Sequence, residues 1–590
     1  MRKSQIFFCS LLFSFLLFLI SYSNHNALTV TLNFANASIL PTQPPNQIAE
    51  FEKWNCGKVD DINSNFYIEE IQVPEVCSIP ISIAFDEKDN KVWFIGTRNG
   101  TLFEYIPSNQ TFKTYQIPNW FSRDLPAGNS WSWDLKLDKS GNNIWFTDEK
   151  LNSLWKFNKN EKEFEQFVIP FYSNSYSTAY PVSIEFMDDK NMYFVGIRSL
   201  SLWHGYTDRM TNGTSTGIEE IPIPLDGLFK GIPEYEIGIG SLAIDHAKKN
   251  IWITALAFEK KGVLIKYNLG DKNFTLYELP DSFRSPTGIT LDSNDTVWIT
   301  DHATSSLYKI DPPGESVTLT PSDMEHIVTS PLSSRIYGVD FKDTSNKSLH
   351  IYENSLPYWI DSTNDGSIVT NEHVGNKIAR YFPGNETMIE YWVPSQNILY
   401  SVCDPNNLDI ECGYSNVLQF DIESKTSPTL GNYTSKIWFT EQSENKIGFV
   451  DLEKTVPISL TVTPNHSNIS GGINGETVRI DVQAKIKNLK GNDLTIRSDF
   501  TNEDNITLKP VISGTFTPNG DINGFEATIE PEVLHINMNQ NFTDSDTKFA
   551  SFSILLKPVR EIPPGNYNLM VGVESKDITM MKKVRLNIIN

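Results

Sequence analysis

Cysteine is scarce, at five in 590 residues, and one of the five, Cys9, lies in an N-terminal apolar run. That excludes a disulfide-dense scaffold, and the C-x20-C and C-x8-C spacings of Cys56, Cys77, Cys403 and Cys412 do not match a zinc site. Positive charge is also short. Lys+Arg number 49 against Asp+Glu 72, a net charge of −23, which argues against nucleic acid because binding there needs cations that displace phosphate counterions. The same charge disfavours an anionic membrane surface and suits cationic or neutral ligands and divalent metals. No H-E-x-x-H, G-x-S-x-G or P-loop occurs, so zincin, serine-hydrolase and nucleotide readings lack support. Helical periodicity is nearly absent. What remains is strands, with aromatic residues at 12% to build a core.

The first residues point to export. Arg2 and Lys3 precede the run Ile6–Ile20, which is 15 residues and shorter than the roughly 20 of an upright membrane helix. This order predicts a signal peptide over residues 1–23, or an N-terminal membrane anchor if it is retained. The expected location is extracellular or at the cell surface. There the even set of cysteines after Cys9 suggests two disulfides, with proximity favouring Cys56–Cys77 and Cys403–Cys412. Asn-x-Ser/Thr sequons are dense, at Asn36, Asn99, Asn109, Asn212, Asn273, Asn294, Asn346, Asn385, Asn432, Asn465, Asn468, Asn505 and Asn541, and their density points to glycosylation. Residues 24–60, with Pro41, Pro44 and Pro45, read as an extended linker.

One cassette recurs from there on. A short apolar strand, a polar turn, an aromatic strand of the type I-W-F-T-D/E, a third strand and a Pro-ended strand follow one another. The aromatic slot holds Trp93, Trp145, Tyr193, Trp252, Trp298, Val369 and Trp438. Four strands per unit of about 45 residues predict a β-propeller blade, and seven copies predict a seven-bladed ring over residues 61–455. The seventh copy lacks a Pro-ended strand, while an orphan one, Phe66–Pro74, precedes the first. The orphan is expected to complete the last blade and close the ring, locked by Cys56–Cys77. Ser322–Pro357, with a degenerate strand pair that leaves an eighth blade open, and Ser395–Tyr433 read as insertions. Over residues 456–590 seven alternating strands predict an immunoglobulin-like β-sandwich, so the fold class is all-β.

The segments IWFTEQSENKIGFVD (Ile437–Asp451) and NEHVGNKIARYFP (Asn371–Pro383) resemble the W-F-T-E-x-x-x-N-K-I-G-R repeat of the streptogramin B lyases, also called virginiamycin B lyase-like proteins. The match runs from Phe66 to about Thr455. The resemblance implies a seven-bladed propeller and a magnesium-dependent elimination that opens a cyclic depsipeptide at its ester. It implies a histidine general base and acid, and carboxylates that hold the metal. In the family's P-H-x-I slot this chain has Thr287 and Tyr358, and fourteen residues later Asp301 and Glu372. The carboxylates are matched and the histidines are not, which leaves the question of catalysis open.

Read from the residues, the carboxylate slot holds Gly96, Asp148, Gly196, Ala255, Asp301, Glu372 and Glu441. Asp301, Glu372 and Glu441 fall on successive blades and could share Mg²⁺ or Ca²⁺, since oxygen-rich clusters suit either. The plainer alternative is that each acid caps a turn or pairs with a basic residue such as Lys156, Lys309 or Arg380. His302 and His373 follow two of these acids directly. Strand neighbours face opposite ways, so they lie off the site as partly exposed loop residues unless the strand has ended before them. Together with Tyr358 they are the candidate catalytic groups. Trp131, Trp133 and Trp359 stand where strands enter the channel, as candidates either for stacking on a sugar or ring or for packing between blades. Two functions follow: a metal-dependent lyase acting on a cyclic or esterified small molecule, or a non-catalytic module of the cell envelope that binds a small molecule or a surface protein.

Overall fold

The computed structural model describes Cys56 and residues 63–120, 130–170, 178–281, 283–330, 355–395, 416–427, 431–470, 476–487, 505–514, 524–537 and 547–589. The signal or anchor segment, most of the linker, Cys403, Cys412 and the degenerate strand pair lie outside these residues. Within them the elements are strands and two single-turn 3₁₀ helices. No helix among the described residues is long and apolar enough to cross a membrane.

Seven antiparallel sheets in chain order form the blades of a β-propeller. Blade one is Pro80–Asp86, Lys91–Gly96, Thr101–Ile106 and Thr111–Gln116; blades two to seven begin at Leu135, Pro181, Ile237, Pro286, Pro357 and Val417. The aromatic-slot residues all fall in second strands, and each is a wedge into the following blade. Trp93 packs with Leu135, Ile144 and Phe157 of blade two. Trp298 packs with Ile360 and Ile368 of blade six, and Trp438 with Ile83 and Phe85 of blade one. The last of these contacts makes the arrangement a ring.

The Thr of I-W-F-T is a second link between blades. Six of the seven first strands, all but that of blade two, are bulged near their start, which strands an N–H group. Thr254, Thr300 and Thr440 accept those N–H groups from Ser241, Gly288 and Gln419 at 3.0, 2.9 and 3.2 Å. The same hydroxyls donate to carbonyls of the next blade, Thr287, Tyr358 and Ile81, at 2.7, 2.7 and 2.8 Å. Blade six uses Asn371, which accepts from Trp359 N–H at 2.7 Å and donates to the carbonyls of Val417 and Leu418 at 2.8 Å. First strands therefore lie close together. A Cβ on Gly288 would sit 2.2 Å from the Tyr358 carbonyl oxygen.

The ring closes as the orphan strand suggests. Ile68–Gln72 pairs antiparallel with Lys446–Asp451 as the outer strand of blade seven, and Cys56 is bonded to Cys77 just after it. Both expected insertions are smaller than the sequence indicated. Met324–Val328 is the outer strand of blade five, and Val417–Ser427 is the inner strand of blade seven. Both strands deviate from the common cassette spacing, which hid them. The described residues contain seven blades.

Beyond the ring, Ile458–Thr463, Val478–Lys487, Thr547–Pro558 and Phe525–Glu530 form one sheet of a sandwich. The opposing sheet contains Ile578–Ile589, Gly565–Glu574, Asn505–Ser513 and Leu534–Asn537, with His466–Ser470 parallel to Ile578–Ile589. Apolar side chains at alternate positions of both sheets meet in one core. Of the seven strands read from the sequence, the one at 494–500 lies outside the described residues, and the sequence missed His466–Ser470, Asn505–Ser513 and Leu534–Asn537.

The sandwich is not a separate bead. Ile578–Ile589 pairs with Thr387–Trp392, the outer strand of blade six, so one nine-stranded sheet runs from the channel into the sandwich. Trp392 donates its ring N–H to the Thr579 hydroxyl at 2.9 Å, and Lys583 lies 2.9 Å from Glu386. Because each slot aromatic is a fully buried wedge, Trp298→Ala should cost about 3–5 kcal/mol. Denaturant unfolding followed by circular dichroism measures this, and a loss under 1 kcal/mol would contradict the wedge role.

Candidate functional site

The three carboxylates expected to share a metal do not converge on one. Asp301 accepts backbone N–H bonds from Ser285 at 2.7 Å and Arg284 at 3.1 Å, so it caps the chain entering its own blade. Glu372 lies 3.1 Å from Lys377, which also reaches Glu390 at 2.9 Å and the Ser330 hydroxyl at 2.6 Å. Blade seven repeats this arrangement: Lys446 lies 3.1 Å from Glu70 and 2.5 Å from the Ser395 hydroxyl, with Glu441 within its electrostatic reach. All six charged groups of the two networks, Glu372, Lys377, Glu390, Glu441, Lys446 and Glu70, are buried. Among the described residues no group of three or more His, Cys, Asp or Glu is placed to hold a metal ion. The E-x-x-x-N-K segment is thus a structural device built round its lysine: Lys377 holds Glu372 and Glu390, while Lys446 holds Glu70, and Glu441 beside it accepts from the Asn416 amide at 3.4 Å. An ordinary Mg²⁺ or Ca²⁺ site needs several oxygens converging on one point, and Asp301, held by backbone N–H groups, and Glu372, held by Lys377, do not join Glu441 in one.

The expectation of a basic partner was right in kind and wrong in the partners. Lys156 pairs with Glu165 and Arg380 with Asp365, while Lys309 lies over the Trp298 ring at 5.9 Å.

One position further along, the chain enters the channel mouth. Strands Val297–Asp301 and Ile368–Glu372 end on the acids, so His302 and His373 have left the alternation and turn inward. They are buried rather than partly exposed, at 3% and 0%, with rings stacked at 4.8 Å and Nε2 atoms 3.4 Å apart. Nδ1 of His302 faces the Pro357 carbonyl at 3.3 Å, and a carbonyl only accepts, so that nitrogen carries the proton. Nε2 of His302 then accepts from His373. Burial pushes His302 down to about 4, and burial followed by the neighbouring His302 pushes His373 well below the usual imidazole range. Both rings are neutral at physiological pH.

Tyr358 stands edge-on to His302 at 4.9 Å, and burial raises its hydroxyl above the usual phenol range. Trp133 stacks on Tyr358 at 6.3 Å and Trp131 on Trp133 at 5.3 Å. The Trp133 ring N–H donates to Glu149 at 2.8 Å. Trp359, in contrast, lies edge-on to Tyr358 at 5.3 Å and packs against the core of blades six and seven, outside the parallel stack. Candidates drawn from blades two, five and six therefore meet at one end of the channel, with Trp131 the least buried of the stack.

Glu149 was missed. The signal was present: it follows Asp148 as His302 follows Asp301 and His373 follows Glu372. Side chains that meet at the mouth come from the position after the acid.

No family model and no curated protein matches the chain. Among solved structures it is similar to a streptogramin B lyase, at 18% identity and a TM-score of 0.44, covering 66% of this chain and 98% of that one. A virginiamycin B lyase from Staphylococcus aureus gives 15% and 0.43, covering 65% and 99%. The extracellular domain of a putative one component system from B. thetaiotaomicron gives 11% and 0.39, covering 90% of this chain and 60% of that one. At such values no activity follows from likeness, and the propeller rests on its own strand pairing.

The site makes a signed pH prediction. Burial first, then the charge of Glu390, push Glu372 from 4.5 up to about 7 against the pull of Lys377. The folded state then holds a proton that the unfolded state releases, so Glu372 costs stability as pH rises from about 4.5 to 7. His302, lowered from 6.5 to about 4, acts oppositely, because its stability contribution is lost as pH falls through that window. Denaturation at pH 5 and 7.5 should show Glu372→Gln gaining on the wild type as pH rises, and His302→Gln gaining as pH falls. Parallel pH curves for all three proteins would contradict these environments.

Proposed function

We propose that the chain is an exported propeller whose channel mouth binds a ring-bearing ligand or a surface partner, and that it is not a metal-dependent lyase. The single observation that carries this is the pairing of Glu372 with Lys377, which together with the backbone N–H bonds of Asp301 takes two of the three acids a metal would need. The family's histidine slots hold Thr287 and Tyr358. His302 and His373 are spent on each other and on Pro357. A general base works best with a pKa near the operating pH, and about 4 is far from it. The stack of Trp131, Trp133 and Tyr358 suits recognition instead, since aromatic faces bind rings by stacking.

Export is supported by the N-terminal layout, the Cys56–Cys77 bond and exposed sequons such as Asn109 and Asn212. We read the C-terminal sandwich as immunoglobulin-like, a second presenting surface held rigidly to the first.

Calorimetric titration with Mg²⁺ and with Ca²⁺, on wild type and Glu372→Gln, tests the reading, together with an assay for opening of a cyclic depsipeptide ester. The expected result is no saturable heat and no ester opening in either protein. Mg²⁺ binding and ester opening in the wild type, both lost in Glu372→Gln, would restore the lyase.

A further inference from the structure

The sequons sort by face. A propeller blade has two kinds of turn. The connections between second and third strands, and those entering the first strand, lie at the mouth with His302, His373 and Tyr358. The hairpins joining strands one to two and three to four lie at the opposite end. Asn109 and Asn385 sit in three-to-four hairpin turns, Asn273 opens the fourth strand just after one, Asn212 lies in the longer three-to-four connection of blade three, Asn294 in a one-to-two turn, and Asn432 second in the strand Gly431–Glu441 at the same end. All six belong to the far face, and all six are exposed. Among the described propeller residues the mouth face has one sequon, Asn99, half-buried with its amide nitrogen donating to Glu75.

Turn chemistry alone does not produce this split. The mouth turns contain asparagine as well: Asn152, Asn376 and Asn445 adopt left-handed φ of 49°, 54° and 54°. Each spends its amide nitrogen on the fold, donating to the carbonyls of Ile169, Val393 and Glu75 at 3.0, 2.9 and 2.8 Å. Each is also followed two residues on by Leu or Ile, not Ser or Thr. Among the far-face sequons the pattern inverts, although Asn143, Asn191 and Asn250, which are not sequons, donate their amide nitrogens to Asp138, Asp188 and Asp245. Asn109, Asn212 and Asn432 use the amide oxygen, accepting from the Thr111 hydroxyl, Gln166 N–H and the Thr426 hydroxyl at 2.7, 2.9 and 2.7 Å. That leaves the nitrogen for a sugar. In the sandwich, exposed Asn468 likewise uses its amide oxygen, accepting from the Asn587 amide at 3.0 Å.

We infer that the far face is N-glycosylated at Asn109, Asn212, Asn273, Asn294, Asn385 and Asn432, and that the mouth face is left bare. The donor class is an oligosaccharide linked to a lipid diphosphate. The bond from the sugar's C1 to the phosphate oxygen breaks with its electron pair going to that oxygen. Nδ2 forms the new bond to C1, and the amide proton leaves with the lipid diphosphate. Nothing is oxidised or reduced. Glycans at the one-to-two turns, nearest the axis, crowd the far end of the channel, so the mouth is the open approach. This deepens, and rests on, the reading of an exported protein that works through its mouth.

The test takes the full chain from its exported fraction, digests it, and releases glycans with peptide N-glycosidase in heavy-oxygen water. Mass spectrometry then reads the heavy label left at each formerly glycosylated asparagine. Label is expected at the six far-face positions and not at Asn99. Asn109→Gln should remove one glycan mass from the intact protein, and Asn99→Gln should remove none. Exported protein labelled at Asn99 as fully as elsewhere, or unlabelled at the six, overturns the sidedness and leaves export standing. Protein recovered only from the cytosol and unmodified overturns both.

Discussion

The rest of the molecule depends on one strand pair, Ile68–Gln72 on Lys446–Asp451. A ring of sheets in which each blade wedges an apolar residue, aromatic in all but blade six, into the next gains its full burial only when the last blade meets the first. That pair is also where charge is buried. Lys446 sits between Glu70 of the closing strand and the Ser395 hydroxyl, beside Glu441. Removing one partner of a buried ion pair leaves the other uncompensated, at a cost of about 3–5 kcal/mol. The closure is therefore specific as well as adhesive, because only a strand that brings a carboxylate to Lys446 satisfies it. Blade six solves the same problem within one blade, through Lys377, Glu390 and Ser330. The two networks show what the N-K segment is for.

Much of this was legible in the sequence. The cassette spacing located all seven slot residues in second strands, and the orphan Pro-ended strand gave the closure. The site was less legible, and the reason is geometric. The repeat displays its acids prominently, so attention falls on Asp301, Glu372 and Glu441. Those acids end strands and satisfy their own blades. The next residue, freed from alternation by the strand's end, faces the channel, and it varies from blade to blade: Glu149, His302, His373. A variable position looks like noise in a repeat, although variation is where a symmetric scaffold carries something particular.

The sandwich shows the other limit. Its alternating strands were visible because one face of each is buried, the usual condition for a clear period of two. Which strand pairs with which is not a local property. Nothing in the stretch Ile578–Ile589 announces that its partner is Thr387–Trp392, almost two hundred residues earlier. An outer blade edge presents unpaired backbone groups, and blade six meets that need with a strand from the sandwich. The core consequently runs without a break from Val369 and Tyr391 of blade six through Ile578 to Val482 in the far sheet. Ring and sandwich thus share one sheet and one core.

Hydrogen exchange read by mass spectrometry tests the closure most directly. If the ring is held by that strand, its cross-strand amides, those of Glu69 and Ile71, exchange only on global unfolding, at the rate of their partners in Lys446–Asp451. Exchange of those two amides orders of magnitude faster than the second strands that carry Trp93 and Trp298 would mean that the ring stands without its strap, contradicting the account.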